Sequence, residues 1–151
     1  MVTLDEMRGA QGWLLQRLGC FAVNQARPSL ASLRHALELL EGGEQLVVFP
    51  EGRIRREDDQ PLRLQQGLAR LAALAASRGV SVPVLPVGIA YSHTIPRPCD
   101  RAAICIGKPM RISGEGRDGA LALTHQLTEA MVELEQRAIA CLGNGLAEGS
   151  P

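Results

Sequence analysis

The sequence predicts one α/β domain, a mixed and partly parallel sheet flanked by helices, and three observations predict it. Short apolar segments bounded by proline or glycine read as strands at residues 45–49, 84–90 and 102–106. Around them, apolar residues recur at three- and four-residue spacing, the period of one helix face. Strands alternating with helices at such distances call for crossover connections, which join parallel strands. The 151 residues, 46% hydrophobic and 21% charged, suit a single packed core and exclude a disordered chain. The domain is expected over residues 1–142, with a flexible tail over 143–151.

Residues 5–18 suit a short helix whose apolar side is Met7, Trp13, Leu14 and Leu18, stopped by Gly19; a short strand over 20–23 follows. Pro28-Ser29 opens the next helix as a cap, ahead of the stripe Leu30, Leu33, Leu37 and Leu40, with Gly42-Gly43 as its exit. The run Leu46-Val47-Val48-Phe49 ends at Pro50 and reads as a buried strand. Leu64, Leu68, Leu71, Ala72 and Ala75 form another helical face, ended by Gly79. In residues 84–90, Pro86 and Gly88 argue for an edge, a bulge or a late start. Leu123, Leu127, Met131, Leu134, Ala138 and Cys141 share one side of a last, long helix.

Composition narrows the function. Sixteen basic residues balance sixteen acidic ones, which removes the footprint of a nonspecific nucleic-acid binder; a local basic patch stays open. Lys108 is the only lysine, so almost every cation is an arginine, the better fork for phosphate and carboxylate. Cys20, Cys99, Cys105 and Cys141 have neither C-x-x-C spacing nor a histidine at metal-ligand spacing, and are expected reduced and mostly packed. No stretch has the roughly 18 uninterrupted apolar residues of a membrane span, and no basic-then-apolar leader opens the sequence. A cytoplasmic protein, or one peripheral to a membrane, is expected.

Chemistry concentrates after residue 49. A strand that delivers a proline turn, Glu51, Gly52 and the arginines Arg53, Arg55 and Arg56 places charge at a strand's carboxyl end, where open α/β folds bind ligands. Glycine permits close backbone approach, and arginine grips phosphate with two bonds. The plainer alternative is a solvated loop in which Glu57, Asp58 and Asp59 neutralise the arginines.

Phe49-Pro50-Glu51-Gly52 resembles the F-P-E-G block of the glycerolipid acyltransferases, the 1-acylglycerol-3-phosphate acyltransferases and their relatives. Further blocks follow the same order. Residues 19–25, Gly-Cys-Phe-Ala-Val-Asn-Gln, resemble the upstream G-x-x-F-I-D-R; Gln66-Gly67-Leu68-Ala69 is similar to K-x-G-x-x. Val82-Pro83-Val84-Leu85-Pro86-Val87 is similar to V-P-I-x-P-V, and Ile106-Gly107-Lys108-Pro109-Met110 to the G-x-P-I turn. The resemblance covers about residues 4–112. It implies transfer of a fatty acyl group from acyl-CoA or acyl carrier protein to the hydroxyl of a lysophosphatidate-like glycerolipid in phospholipid biosynthesis. No resident cofactor is implied, since the acyl carrier is a substrate.

By the same resemblance, Glu51 and the Gly52 backbone stand near the acceptor, Arg27, Arg53 or Arg55 at its phosphate, and residues 82–87 shape the pocket floor. A membrane surface becomes a partner, because such substrates live in bilayers. Trp13, Leu14 and Leu15 beside Arg8 and Arg17 read either as an interfacial helix or, preferred for so short a helix, as core.

Three departures qualify the match. The family's N-H-x-x-x-x-D block supplies the base that deprotonates the acceptor hydroxyl, and here Leu40, Pro98 and Ala130 stand five positions beyond His35, His93 and His125. No catalytic residue is assigned on that pattern. The family's Asp-Arg pair stands as Asn24-Gln25, leaving Arg27 either to serve the phosphate or to sit on the surface beside Pro28. The usual Thr-Arg-Ser after F-P-E-G reads Arg53-Ile54-Arg55. A missing block also implies a missing strand, so the expectation is an N-terminally truncated domain with Met1 an internal methionine. Whether the chain itself is an active enzyme stays open. The alternatives are an acyltransferase of which this is part, and an inactive fragment or pseudoenzyme that binds lipid phosphate or a partner subunit. An unrelated α/β domain with a coincidental F-P-E-G loop is disfavoured by the order of the blocks.

Overall fold

A computed structural model of the chain describes residues 2–3, 9–23, 30–52, 61–93 and 99–147. Its elements run β1 (Val2–Thr3), α1 (Gly9–Arg17), β2 (Ala22–Val23), α2 (Leu30–Glu41), α3 (Gly67–Ser77), β3 (Val87–Tyr91), β4 (Ala102–Ile106) and α4 (Gly116–Ala147).

The amphipathic stripes become two clusters that share α3. On one side Leu71 and Ala75 pack against Ala36 and Leu37 of α2, joined by Phe21, Leu40, Leu46, Val80 and Val82. On the other, Ala69 and Ala72 meet Ala120 and Leu123 of α4, with Val84, Met110 and Ile112 around them. Glycine stops α3 as expected: Gly79 takes φ of 81°. Its amide donates to the Ala76 carbonyl at 2.9 Å, and that of Val80 to Ala75 at 3.0 Å, which satisfies carbonyls the helix leaves open. Arg78 bridges back to Glu41 at 3.0 Å, an exposed pair that adds under about 1 kcal/mol.

The sheet differs from the expectation. In place of one mixed sheet, the described residues form two separate two-stranded pairs, β1 with β2 and β3 with β4. The parallel part is confined to Val2↔Ala22 and Thr3↔Val23, whereas β3 and β4 pair antiparallel. The expected strand at residues 45–49 joins neither pair. Leu46 packs inward, but Val47 is 71% and Phe49 63% exposed. An apolar run becomes a strand only when it pairs along another strand's edge, and among the described residues this run pairs with none of the four strands.

β3 starts late, as Pro86 and Gly88 suggested, and α4 crosses one face of the hairpin. A Cβ on Gly88 would lie 2.6 Å from the Leu134 carbonyl oxygen and the Glu135 amide nitrogen, so the strand touches the helix backbone directly. Along α4 Ala138 is buried, whereas Cys141 three residues on is exposed. Cys99 is exposed too, and Cys20 and Cys105 are half-buried; all four are free thiols, and none is packed as fully as expected. Helix α4 continues through Ala147, past residue 142 where the sequence reading ends the domain. Trp13 and Leu14 of α1 and Leu18 just beyond it are exposed, at 59% for Trp13, against the preference for core. Among the described residues no helix is long and apolar enough to cross a membrane.

Gly88→Ala is expected to destabilise the chain by about 2 kcal/mol, the scale of an overpacked contact against backbone that cannot yield. Urea unfolding measures it, and an unchanged midpoint would contradict the close approach of β3 to α4.

Candidate functional site

The F-P-E-G residues form a turn pinned to the entrance of α3. Gly52 takes φ of 71°, a left-handed conformation open to glycine, and its amide closes the turn onto the Phe49 carbonyl at 3.3 Å. Pro50 is buried, and its carbonyl accepts from the Gln65 amide at 2.7 Å. Gln65 also backs the turn, because a Cβ on Gly52 would come within 3.0 Å of its Cγ. Glu51 is half-buried at the head of this turn.

Helix α3 begins two residues beyond Gln65. Gln66 occupies the capping position without capping by its side chain; its Oε1 instead accepts from Arg70 Nη2 at 2.8 Å. Gln66 thus gives the first-turn amides of α3 no side-chain cap, and their positive end follows directly on Gln65, whose backbone amide holds the turn that carries Glu51. Residues 53–60 lie outside the described residues, so Arg53, Arg55, Arg56, Glu57, Asp58 and Asp59 are not placed; nor are Met7, Arg8, Asn24, Gln25, Arg27, Pro28 and Ser29.

The recognised blocks converge on one support. Phe21 of the first, Leu46 just before the second, Leu71 just after the third and Val82 of the fourth share a cluster. The fifth is tied to the fourth by backbone: Gly107 donates to Pro86 at 2.9 Å, and Val84 and Met110 exchange bonds at 2.7 and 2.8 Å. A family model described as acyltransferase matches residues 3–90, more than half of the sequence. The chain belongs to the acyltransferase family. No curated protein and no solved structure matches it significantly. In this acyltransferase-family domain the substrates are acyl donors and lipids in general terms.

The histidines hold one arrangement that the linear motif search missed. His35 packs edge-on to Phe21, with centroids 5.0 Å apart, and His125 faces Glu129 at 3.6 Å on the surface of α4. His93, by contrast, sits 2.9 Å from the carboxylate of Asp100, across the hairpin rather than five positions along the chain. Its signal in sequence is only H-x₆-D between two strands, visible once their register is known. Among the described residues no group of three or more His, Cys, Asp or Glu is arranged to hold a metal.

Replacing Gly52 by alanine is expected to cost about 1–2 kcal/mol in urea unfolding, the penalty of a Cβ in left-handed backbone. Loss of nothing measurable would mean that the turn does not hold that conformation in solution.

Proposed function

We propose that this acyltransferase-family chain serves glycerophospholipid synthesis, receiving a fatty acyl group from acyl-CoA or acyl carrier protein and passing it to the hydroxyl of a lysophosphatidate-like glycerolipid. The observation that carries the reading is the Phe49-Pro50-Glu51-Gly52 turn, hydrogen-bonded to the entrance of α3 within the region that matches the family. In this reading Glu51 and the Gly52 amide meet the acceptor's glycerol end, and Arg27, Arg53 and Arg55 supply the cations for its phosphate. Residues 82–87 form the supporting floor.

The protein works at the cytoplasmic face of a membrane, as a peripheral component. Exposed Trp13, Leu14 and Leu18 support this, together with the Arg17 guanidinium 4.4 Å from the Trp13 ring: an apolar face with a cation beside it suits an anionic interface. A second reading, a pseudoenzyme or fragment that binds lipid phosphate or a partner subunit without turnover, is favoured by one observation: Asn24-Gln25 stands where the family has Asp-Arg.

The test is acyl transfer from palmitoyl-CoA to lysophosphatidate by the purified chain, beside its sedimentation with lysophosphatidate-bearing vesicles. Glu51→Ala is expected to abolish transfer with an unchanged unfolding midpoint; wild-type turnover in that variant removes Glu51 from the site. Vesicle binding without turnover selects the second reading. Trp13→Ala together with Leu18→Ala is expected to lower vesicle binding at least tenfold, since each buries its apolar surface at an interface; unchanged sedimentation removes α1 from the membrane contact.

A further inference from the structure

Among the described residues the β3–β4 hairpin leaves the outer edge of β4 unpaired. Its register sets Val87 opposite Ile106, Ile89 opposite Ile104 and Tyr91 opposite Ala102. Just outside these pairs, the Gly107 amide donates to the Pro86 carbonyl and the Ser92 amide to the Arg101 carbonyl, each at 2.9 Å. Backbone groups along an antiparallel strand point to alternate sides. Arg101, Ala103, Cys105 and Gly107 therefore bond towards β3, and the amides and carbonyls of Ala102, Ile104 and Ile106 point to the opposite edge.

Natural sheets blunt an open edge with charge, proline or a bulge. Strand β4 reads Ala102-Ala103-Ile104-Cys105-Ile106, without a charge or a proline, and its register with β3 is unbroken. Ile104 and Ile106 are 63% and 62% exposed against 38% for Ile89, so β4 is the more open of the two strands. Helix α4 lies more over β3 than over β4.

The charges beside β4 select its partner. Asp100 precedes the strand and Lys108, the only lysine of the chain, follows it, so opposite charges stand at equal distances from Ile104. A second β4 laid antiparallel and centred on Ile104 matches every outward backbone group to an outward one. Ile104 then faces its own copy across a two-fold axis, Ala102 faces Ile106, and Asp100 faces Lys108 at both ends. Asp100 keeps its contact with His93, 2.9 Å from Nδ1, because a carboxylate accepts from more than one donor. A register moved by one residue sets outward groups against inward ones. Moved further, it sets Asp100 against Ile106 or Lys108 against Ala102, and both charge matches are lost. The same construction on β3, centred on Ile89, sets Leu85 against His93 and includes no acid.

We infer that the outer edge of β4 is a docking surface for a second copy of this chain, which closes a two-fold dimer around one antiparallel four-stranded sheet. The axis stands perpendicular to the sheet, so both α4 helices lie on one face. Ile89, Tyr91, Ile104 and Ile106 of both copies line the other as a single apolar surface. Four strands hold together better than a lone hairpin, and a formal charge of zero brings no net repulsion between copies. One strand edge buries less than the roughly 1,200 Å² of a stable interface, which makes the dimer weak and concentration-dependent.

Sedimentation of the full chain from about 10 µM to about 1 mM is expected to show a reversible step from monomer to dimer mass and none beyond. Lys108→Glu creates two like-charged pairs across the axis and is expected to weaken the dimer at least about threefold, as is Asp100→Lys. An equimolar mixture of these two variants regains wild-type association, because each end of the shared ladder then carries one acid and one base. Ile104→Pro removes an amide that β3 does not use and abolishes the dimer. In a chain carrying Cys99→Ser and Cys141→Ser, which removes the exposed thiols, Ile104→Cys is expected to give a disulfide-linked dimer under mild oxidation, since directly opposite Cα atoms stand about 5.5 Å apart. Ile106→Cys, whose counterpart lies about 13 Å along the strand, does not cross-link. A wild type that stays monomeric at about 1 mM overturns the inference. Growth beyond the dimer overturns it too, as open-ended edge aggregation. A dimer that the charge variants and Ile104→Pro leave unchanged, or that cross-links through position 106 as readily as through 104, is not paired along β4 and overturns it equally.

Discussion

Everything described around the candidate site depends on how closely α3 lies to its two neighbours. Its faces are small: Ala75 with Leu71 against α2, and Ala69 with Ala72 against Ala120 and Leu123 of α4. Alanine brings helix axes near each other, and packing at interior density gives both sides dispersion contacts that a wider separation would lose. A larger side chain at Ala72 or Ala75 would have to displace a whole helix, since Ala75 has no exposed surface and Ala72 almost none.

Two consequences reach the chemistry from opposite ends of this arrangement. At the start of α3, Gln65 holds the Pro50 carbonyl and crowds Gly52, so the turn bearing Glu51 is set by backbone bonds rather than by its own charged side chain. Through α4 the same packing reaches the hairpin, where Gly88 and Gly107 both lie against Leu134. One face of the hairpin is thereby spent on α4. The other keeps Ile89, Tyr91, Ile104 and Ile106 in solvent, and contiguous apolar surface of this kind marks a binding face more often than a stray exposure does.

The core and the polar pairs draw on different residues here. The buried set is almost wholly aliphatic and contains no buried polar or charged side chain among the described residues. The polar pairs, Arg78 with Glu41 and His93 with Asp100, are at least partly open to water, where ion pairs contribute little to folding. An exposed polar pair that contributes little to the fold can be altered without collapsing it, which suits a group whose value lies in its geometry.

Sequence by itself determined what is local. Periodicity and stop signals placed α2, α3 and α4, the glycine exits after α2 and α3 and the strand at 102–106; five short blocks in order disclosed the family. Those signals are carried by neighbours within a few residues. Only the tertiary structure decided what depends on distant partners. Residues 45–49 have the composition of a strand and join none of the strands among the described residues, β3 and β4 run antiparallel, and the apolar side of α1 faces solvent. His93 and Asp100 stand seven positions apart, a spacing that by itself brings no two side chains into contact. They meet just beyond the last paired residues of the hairpin, Tyr91 and Ala102, because pairing of β3 with β4 brings the two chain segments together there.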